Sequence, residues 1–127
     1  MKIVGHGIDL VSISRLEKIL AKDGSSFETR VFSAGEIAYC RSKKEPATHF
    51  AARFAAKEAY GKALGLGLGP SGNFTDIEVS HGAGGIPLLN LHGKAKEIFA
   101  SKGGKEVFLS LSHDGDSAIA SVIVWGE

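Results

Sequence analysis

A single cysteine, Cys40, stands in the 127 residues, so no internal disulfide can form. An isolated cysteine in a helical stretch is expected to be a packed side chain in a reducing cytosol rather than a nucleophile. No apolar run approaches the roughly 18 residues of a membrane-spanning helix. The first residues are short, glycine-rich and end in an aspartate, unlike a secretory signal. The expectation is a cytoplasmic protein with no membrane partner. Charge of one sign is also missing: the formal net charge is +1, which excludes a global field that would draw the chain to nucleic acid. Metal-ligand spacing among His6, His49, His81 and His92 is absent. The glycine-rich run 65–72 has no Gly-Lys-Ser/Thr ending and follows a helix, so it is not a phosphate loop of the strand–loop–helix kind. It is expected to end that helix and form one wall of a cleft.

What is present is glycine, 17 residues in all, in a chain whose length suits one domain spanning 1–127. Ordering so much glycine is entropically costly, and at this size only one hydrophobic core can form. Lys2 to Val11 alternates as a strand, with Val4, His6, Ile8 and Leu10 on one face. Ile3, Gly5, Gly7, Asp9 and Val11 form the other. Two glycines on the face of an aspartate imply that a helix or a ligand packs very close there. Ser14 and Glu17 predict a capping box opening a helix to about Ala21, broken by Asp23-Gly24-Ser25-Ser26. Ser33 and Glu36 predict a second capping box and a helix to about Arg41. After Pro46 a long helix is expected over Ala47 to Leu64. Ala51, Ala55, Ala59 and Ala63 repeat every four residues along it, a ridge that permits close helix packing.

The second half reads as strands with one helix. Phe74 to Val79 and Ile86 to Leu91 are predicted strands joined by the turn His81 to Gly85. Lys94 to Ala100 reads as a short helix. Val107 to His113 and Ala118 to Trp125 are predicted to pair antiparallel across Asp114-Gly115. The fold class is therefore α+β, a mostly antiparallel sheet packed on one long helix.

Two carboxylates stand out. Glu58 and Lys62 lie one turn apart on the long helix, and the plain reading is a surface ion pair worth about 0.3–0.5 kcal/mol. Yet Glu58 is surrounded by alanines and Gly61, where a carboxylate risks desolvation unless a cation offsets it. Asp9 raises the same question at the end of an apolar strand. Two such groups suit magnesium, which prefers about six oxygen ligands and would keep about four positions for phosphate and water. Spacing alone does not say that Asp9 and Glu58 meet. Ser112 and His113 are neighbours on a strand, so their side chains point to opposite faces and cannot act as a nucleophile–base pair. Arg15, Lys18 and Lys22 fall on one face of the first helix, either a solvated stripe or a docking surface.

Gly5-His6-Gly7-Ile8-Asp9-Leu10 resembles the first motif of the phosphopantetheinyl transferases. Arg53-Phe54-Ala55-Ala56-Lys57-Glu58-Ala59-Tyr60-Gly61-Lys62 resembles their second. With Gly85-Ile86-Pro87 and Ser112-His113, the similarity is to the short acyl-carrier-protein synthase branch and runs from Lys2 to about Trp125. Leu66 and Ser117 depart from that pattern, where threonine and an aromatic residue are usual.

The resemblance implies a phosphopantetheinyl transferase-like fold assembled as a homotrimer, with active sites between subunits. It implies transfer of 4′-phosphopantetheine from coenzyme A to a serine of apo-acyl carrier protein, in fatty acid biosynthesis, releasing 3′,5′-adenosine diphosphate. Asp9 and Glu58 would be magnesium ligands, and Glu58 and Lys62 catalytic. Arg53, Lys62, Gly65, Pro87, Ser112 and His113 would contact coenzyme A, with Arg53 and His113 near its 3′-phosphoadenosine. Arg15, Lys18 and Lys22 would dock the acidic helix of the carrier protein. The rival expectations are a metal-dependent pyrophosphatase acting on coenzyme A without a protein acceptor, and a trimeric binding module without activity.

Overall fold

The structure, a computed structural model, describes residues 1–23 and 25–127. In chain order it runs β1 (Lys2–Ser12), α1 (Ile13–Asp23), α2 (Ser25–Val31), α3 (Ala34–Arg41), α4 (Pro46–Leu64), β2 (Ile77–His81), β3 (Pro87–Leu91), α5 (Gly93–Ser101), β4 (Gly104–Asp114) and β5 (Ser117–Gly126). All strand pairings are antiparallel. The strands form two sheets, β1-β5-β4 and the hairpin β2-β3. α4 lies across the three-stranded sheet and is the spine of the molecule. One core cluster joins Ala55, Ala56, Ala59 and Tyr60 to Val122 and Val124 of β5 and to Ile77 and Val79 of β2. The other joins Phe50, Ala51 and Ala52 to Leu16, Leu20 and Phe32.

The alanine ridge does what its spacing implies. Ala51, Ala55 and Ala59 are wholly buried and Ala63 nearly so. Opposite them, Gly5 and Gly7 leave no room for a side chain. A Cβ on Gly5 would sit 1.8 Å from the Ala63 carbonyl oxygen, and one on Gly7 would sit 2.0 Å from that of Ala59. Of the two partners open for the glycine face of β1, it is a helix that packs there. Gly61 serves a second close approach: its missing Cβ would meet Leu68 Cδ2 at 2.7 Å, so the chain after α4 folds back on the helix. Gly65 turns that corner in the left-handed region, at φ 72°.

Several local expectations are corrected. α1 begins one residue before Ser14, and its first turn is capped from Ser12, whose Oγ accepts the Arg15 N–H at 3.2 Å. Ser14 is occupied elsewhere. Its N–H and hydroxyl both donate to the Asp116 carboxylate, at 2.8 and 2.9 Å, tying the β4–β5 turn to the start of α1. Tertiary pairing thus overrides the Ser14–Glu17 capping box. The expected chain break involves Gly24, which lies outside the described residues; α2 follows it and had no periodic signature.

A shift in register between Ile3 and Gly5 turns Val4 into the core and leaves Ile3 exposed, against simple alternation. Phe74–Asp76 is a 3₁₀ turn rather than strand, because the Asp76 N–H closes on the Asn73 carbonyl. The capping box at Ser33 and Glu36 is present as read. The β4–β5 hairpin is in place, with Gly115 at φ 56° in its turn.

Candidate active site

The site is assembled where β1 ends over α4. Asp9 pairs with Ala120 of β5 and lies on the strand face that carries Gly7. Because those glycines press β1 onto α4, the aspartate is delivered to the helix surface beside Glu58 and Lys62. Lys62 Nζ donates to Asp9 Oδ1 at 2.8 Å and to the Ile8 carbonyl at 3.0 Å. Its side chain is more than half exposed, so the ion pair by itself adds little stability.

Asp9 and Glu58 line one cleft of about 310 Å³, together with Leu10, Val11, Ser12, Arg15, Leu16, Ile19 and Phe54. Burial, and then the negative charge of Asp9, push the Glu58 carboxyl above its ordinary range, while Lys62 offsets this only in part. Between the ordinary and the raised value the folded chain holds more protons than the unfolded one. This group's contribution to stability therefore falls as pH rises through that window. A cation between the two carboxylates would relieve the same repulsion at neutral pH.

Among the described residues no group of three or more His, Cys, Asp or Glu side chains could enclose a metal. The donor set is thus two carboxylates and no cage. It suits a hard divalent ion that keeps positions for water and phosphate oxygens.

The other residues singled out from the sequence do not all gather here. Arg15 reaches the cleft; Lys18 and Lys22 continue its exposed stripe along α1, opposite the buried Leu16 and Leu20. Gly65 caps α4, one turn beyond Lys62. Arg53 lies about 140° around α4 from Glu58, as its five-residue offset requires. It borders a separate pocket with Gly35, Tyr39, Glu78, Val79, Ser80 and His81. His113 and Ser112 end β4, with His113 on the α4 face of the sheet and Ser112 on the outer face, and Pro87 begins β3. The loop after α4 does not wall the carboxylate cleft. Its Leu68, Gly69 and Gly72 border a different depression, with Thr29 and Phe74. Cys40 is fully buried and its thiol is pushed up to about 11, mainly by burial, which leaves it inert.

Lys57 carries no signal of its own along the chain. It is wholly buried next to Glu58, with Nζ 2.8 Å from Glu36 Oε1 and 2.8 Å from the Phe74 carbonyl, and it also donates to the Ile77 carbonyl. Glu36 in turn accepts the Ser33 N–H at 2.9 Å and the Val79 N–H at 2.8 Å. One ion pair therefore rivets α3, α4 and β2 together on the side of α4 away from Asp9. The Lys-Glu dipeptide and the capping box each carried half of the signal, but nothing in the sequence joined them. Removing one partner strands a buried charge, and Lys57→Met is expected to cost about 3–5 kcal/mol in urea denaturation. Lys57→Met combined with Glu36→Gln, which removes the stranded charge and keeps an amide oxygen for the backbone N–H groups, is expected to recover part of that loss in the same measurement.

Residues 5–121 match the sequence pattern of the 4′-phosphopantetheinyl transferase superfamily. The chain is 52% identical over 122 residues to the holo-[acyl-carrier-protein] synthase of Syntrophus aciditrophicus, covering 96% of this chain and 95% of that one. Among solved structures it resembles the holo-[acyl-carrier-protein] synthase of Neisseria meningitidis, with TM-score 0.90, 32% identity and 97% and 98% of the two chains covered. It also resembles the enzyme of the same name from Helicobacter pylori, solved in complex with coenzyme A. There the TM-score is 0.84 and the identity 38%, over 94% and 99% of the chains.

Proposed function

Because this chain belongs to the holo-[acyl-carrier-protein] synthase family of the 4′-phosphopantetheinyl transferase superfamily, we propose that its Asp9–Glu58 cleft carries the transfer of 4′-phosphopantetheine from coenzyme A to a serine of apo-acyl carrier protein. The reaction supplies holo-carrier protein for fatty acid biosynthesis, with residues 1–127 acting as one catalytic domain in the cytoplasm. No described helix is long and apolar enough to cross a membrane. The observation that carries the reading is the convergence of Asp9 and Glu58, 49 positions apart in the chain, on one cleft with Lys62 at its edge.

Asp9 and Glu58 are the residues that would hold magnesium, which supplies charge neutralisation at the pyrophosphate when bound. Phosphoryl transfer asks little covalent work of a protein, so positioning and electrostatics dominate. The serine Oγ forms a bond to the phosphorus bearing pantetheine. The bond from that phosphorus to the bridging oxygen breaks, and 3′,5′-adenosine diphosphate leaves with the electron pair. Glu58, facing the same cleft, is the group that accepts the serine proton, directly or through a water. Lys62 Nζ, at the edge of the cleft, offsets charge on the leaving phosphate oxygens. Arg53 and His113 are the groups for the 3′-phosphoadenosine, with Gly65, Pro87 and Ser112 completing the contacts. Arg53 faces away from Glu58 around α4, which favours a coenzyme A that reaches from one subunit's cleft to another's.

The homotrimer has support in the outer face of the three-stranded sheet. Ile8, Leu10 and Phe108 are each more than half exposed there, flanked by the half-buried Ile119, Ile123 and Trp125. An apolar face of this extent on a single chain marks a contact surface.

Incubating apo-carrier protein with coenzyme A, magnesium and this protein is expected to add about 340 Da to the acceptor, the mass of the transferred group. Free 3′,5′-adenosine diphosphate without that gain would mean hydrolysis, and no product at all would mean a binding module. Glu58→Ala is expected to lower kcat by about 10²–10⁴, and Asp9→Ala comparably. Lys62→Ala is expected to lower kcat by about 10²–10³ with a smaller change in KM. Near-normal turnover of either carboxylate variant at saturating magnesium would remove the metal assignment.

Arg15, Lys18 and Lys22 are the proposed docking surface for the acidic carrier protein. Electrostatic contacts of this kind mainly raise the association rate and weaken with salt. Reversing all three charges is expected to lower kcat/KM for carrier protein by about tenfold or more at low salt, an effect that should shrink at high salt. An unchanged rate at low salt would exclude this helix from the interface.

For the assembly, light scattering is expected to give three times the 13.3 kDa chain mass, and Leu10→Glu with Phe108→Glu is expected to yield single chains.

A further inference from the structure

Arg53 is an anomaly in a well-satisfied interior. Only 2% of it is exposed, yet Nε and Nη2 have no hydrogen-bond partner among the described residues. Nη1 donates to the His49 carbonyl at 3.3 Å, and the guanidinium lies 4.1 Å from the Tyr39 ring centroid. Arginine cannot relieve burial by losing its proton, so this charge calls for an acceptor. Beside it opens a pocket of about 300 Å³ lined by Tyr39, Ser80, His81, Glu78, Val79 and Gly35.

Basic groups approach that pocket from several elements, and one carboxylate, Glu78, stands in its lining. From α3, Tyr39 stacks on His81 at 4.7 Å and 26° and meets His49 edge-on at 5.7 Å. From the segment after α3, Lys43 Nζ lies 4.6 Å from the same ring. From α4 come His49 and Arg53, and His113 of β4 acts on His49. The carboxylate in the lining, Glu78 of β2, is already engaged: Ser33 Oγ donates to it at 2.6 Å, and His92 Nε2 lies 2.9 Å away. An anion entering here would meet Arg53 from below and the His81 ring at the rim.

We propose that His81 and Arg53 together clamp the 3′-phosphate of a nucleotide in this pocket, and that His81 is the residue that sets the preference for a 3′-phosphorylated ligand. The inference rests on the coenzyme A reading, in which Arg53 meets the 3′-phosphate. It adds His81, which is not among the residues that carry the family resemblance, and a proton that arrives with the ligand.

Burial, then Arg53 and Lys43, hold His81 below its ordinary value of 6.5, so it is neutral in the free protein at pH 7. A phosphate dianion beside the ring reverses the sign of the local field and favours imidazolium. Binding therefore takes up a proton, and affinity rises as pH falls from about 8 toward the phosphate's own second ionisation near 6. His49, held low by burial, Arg53, Lys43 and His113, responds in the same direction.

The test is a proton NMR titration of the His81 ring, assigned by the signal missing in His81→Gln. It is run on the free protein, with adenosine 3′,5′-bisphosphate, and with adenosine 5′-monophosphate, alongside calorimetric affinities at about pH 6.5 and pH 8. The bisphosphate is expected to raise the His81 midpoint by about one unit, a tenfold change in proton affinity, and the monophosphate to leave it in place. His81→Gln is expected to flatten the pH dependence and to cut the preference for the bisphosphate by about tenfold. His81 is exposed, and circular dichroism checks that the variant is folded. Tight bisphosphate binding with an unmoved His81 midpoint overturns the inference and leaves the coenzyme A reading standing. Failure to bind either nucleotide, with no mass gain on carrier protein, overturns both.

Discussion

The contact between β1 and α4 decides what this chain can do. Backbone meets backbone there, Gly5 and Gly7 against the carbonyls of Ala63 and Ala59, at separations that exclude any side chain. A strand held that close to a helix can present its next inward residue directly to the helix surface. That residue is Asp9, and the helix positions it meets are Glu58 and Lys62. The small residues in both motifs thus set how close the aspartate of the strand comes to the glutamate and lysine of the helix.

The opposite side of α4 is held by a different device. The Lys57–Glu36 pair is fully enclosed and has every charge partnered, which ties the helix to α3 and β2. Adjacent residues on one helix therefore divide the labour. Lys57 points inward and fixes the helix, while Glu58 points to the cleft and stays exposed enough for a ligand to reach. Arg53, one turn before Lys57, is buried without such a partner. Two buried cations on the same helix thus differ in kind, Lys57 with its hydrogen bonds met inside the core and Arg53 with two nitrogens open toward a pocket.

Much of the architecture was legible locally. Regular periodicity marked α4 and the β4–β5 hairpin, and the Ser33–Glu36 capping box placed α3. Reading failed where a distant group outbid a local one. Ser14 was a sound helix cap by spacing, but Asp116, across the sheet, took its hydrogen bonds. Val4 broke the alternation of β1 because a bulge turned it inward. α2 is too short to show a helical period. Asp9, Glu58 and Lys62 stand out by motif and residue type, and the structure brings them together; the contacts of Lys57, Tyr39 and His81 have no such signal, since nothing along the chain links them to their partners.

By itself, then, the sequence determined the kinds of element, the glycine and alanine surfaces that must meet closely, and the acidic and basic residues available for chemistry. These follow from local backbone sterics and side-chain spacing, which act over a few residues. Only the tertiary structure decided which of those charges share a cleft, which are neutralised inside the core, and that Arg53 faces a different pocket from Glu58. Electrostatic role depends on distance and burial in space, and neither is set until the strands and α4 have packed.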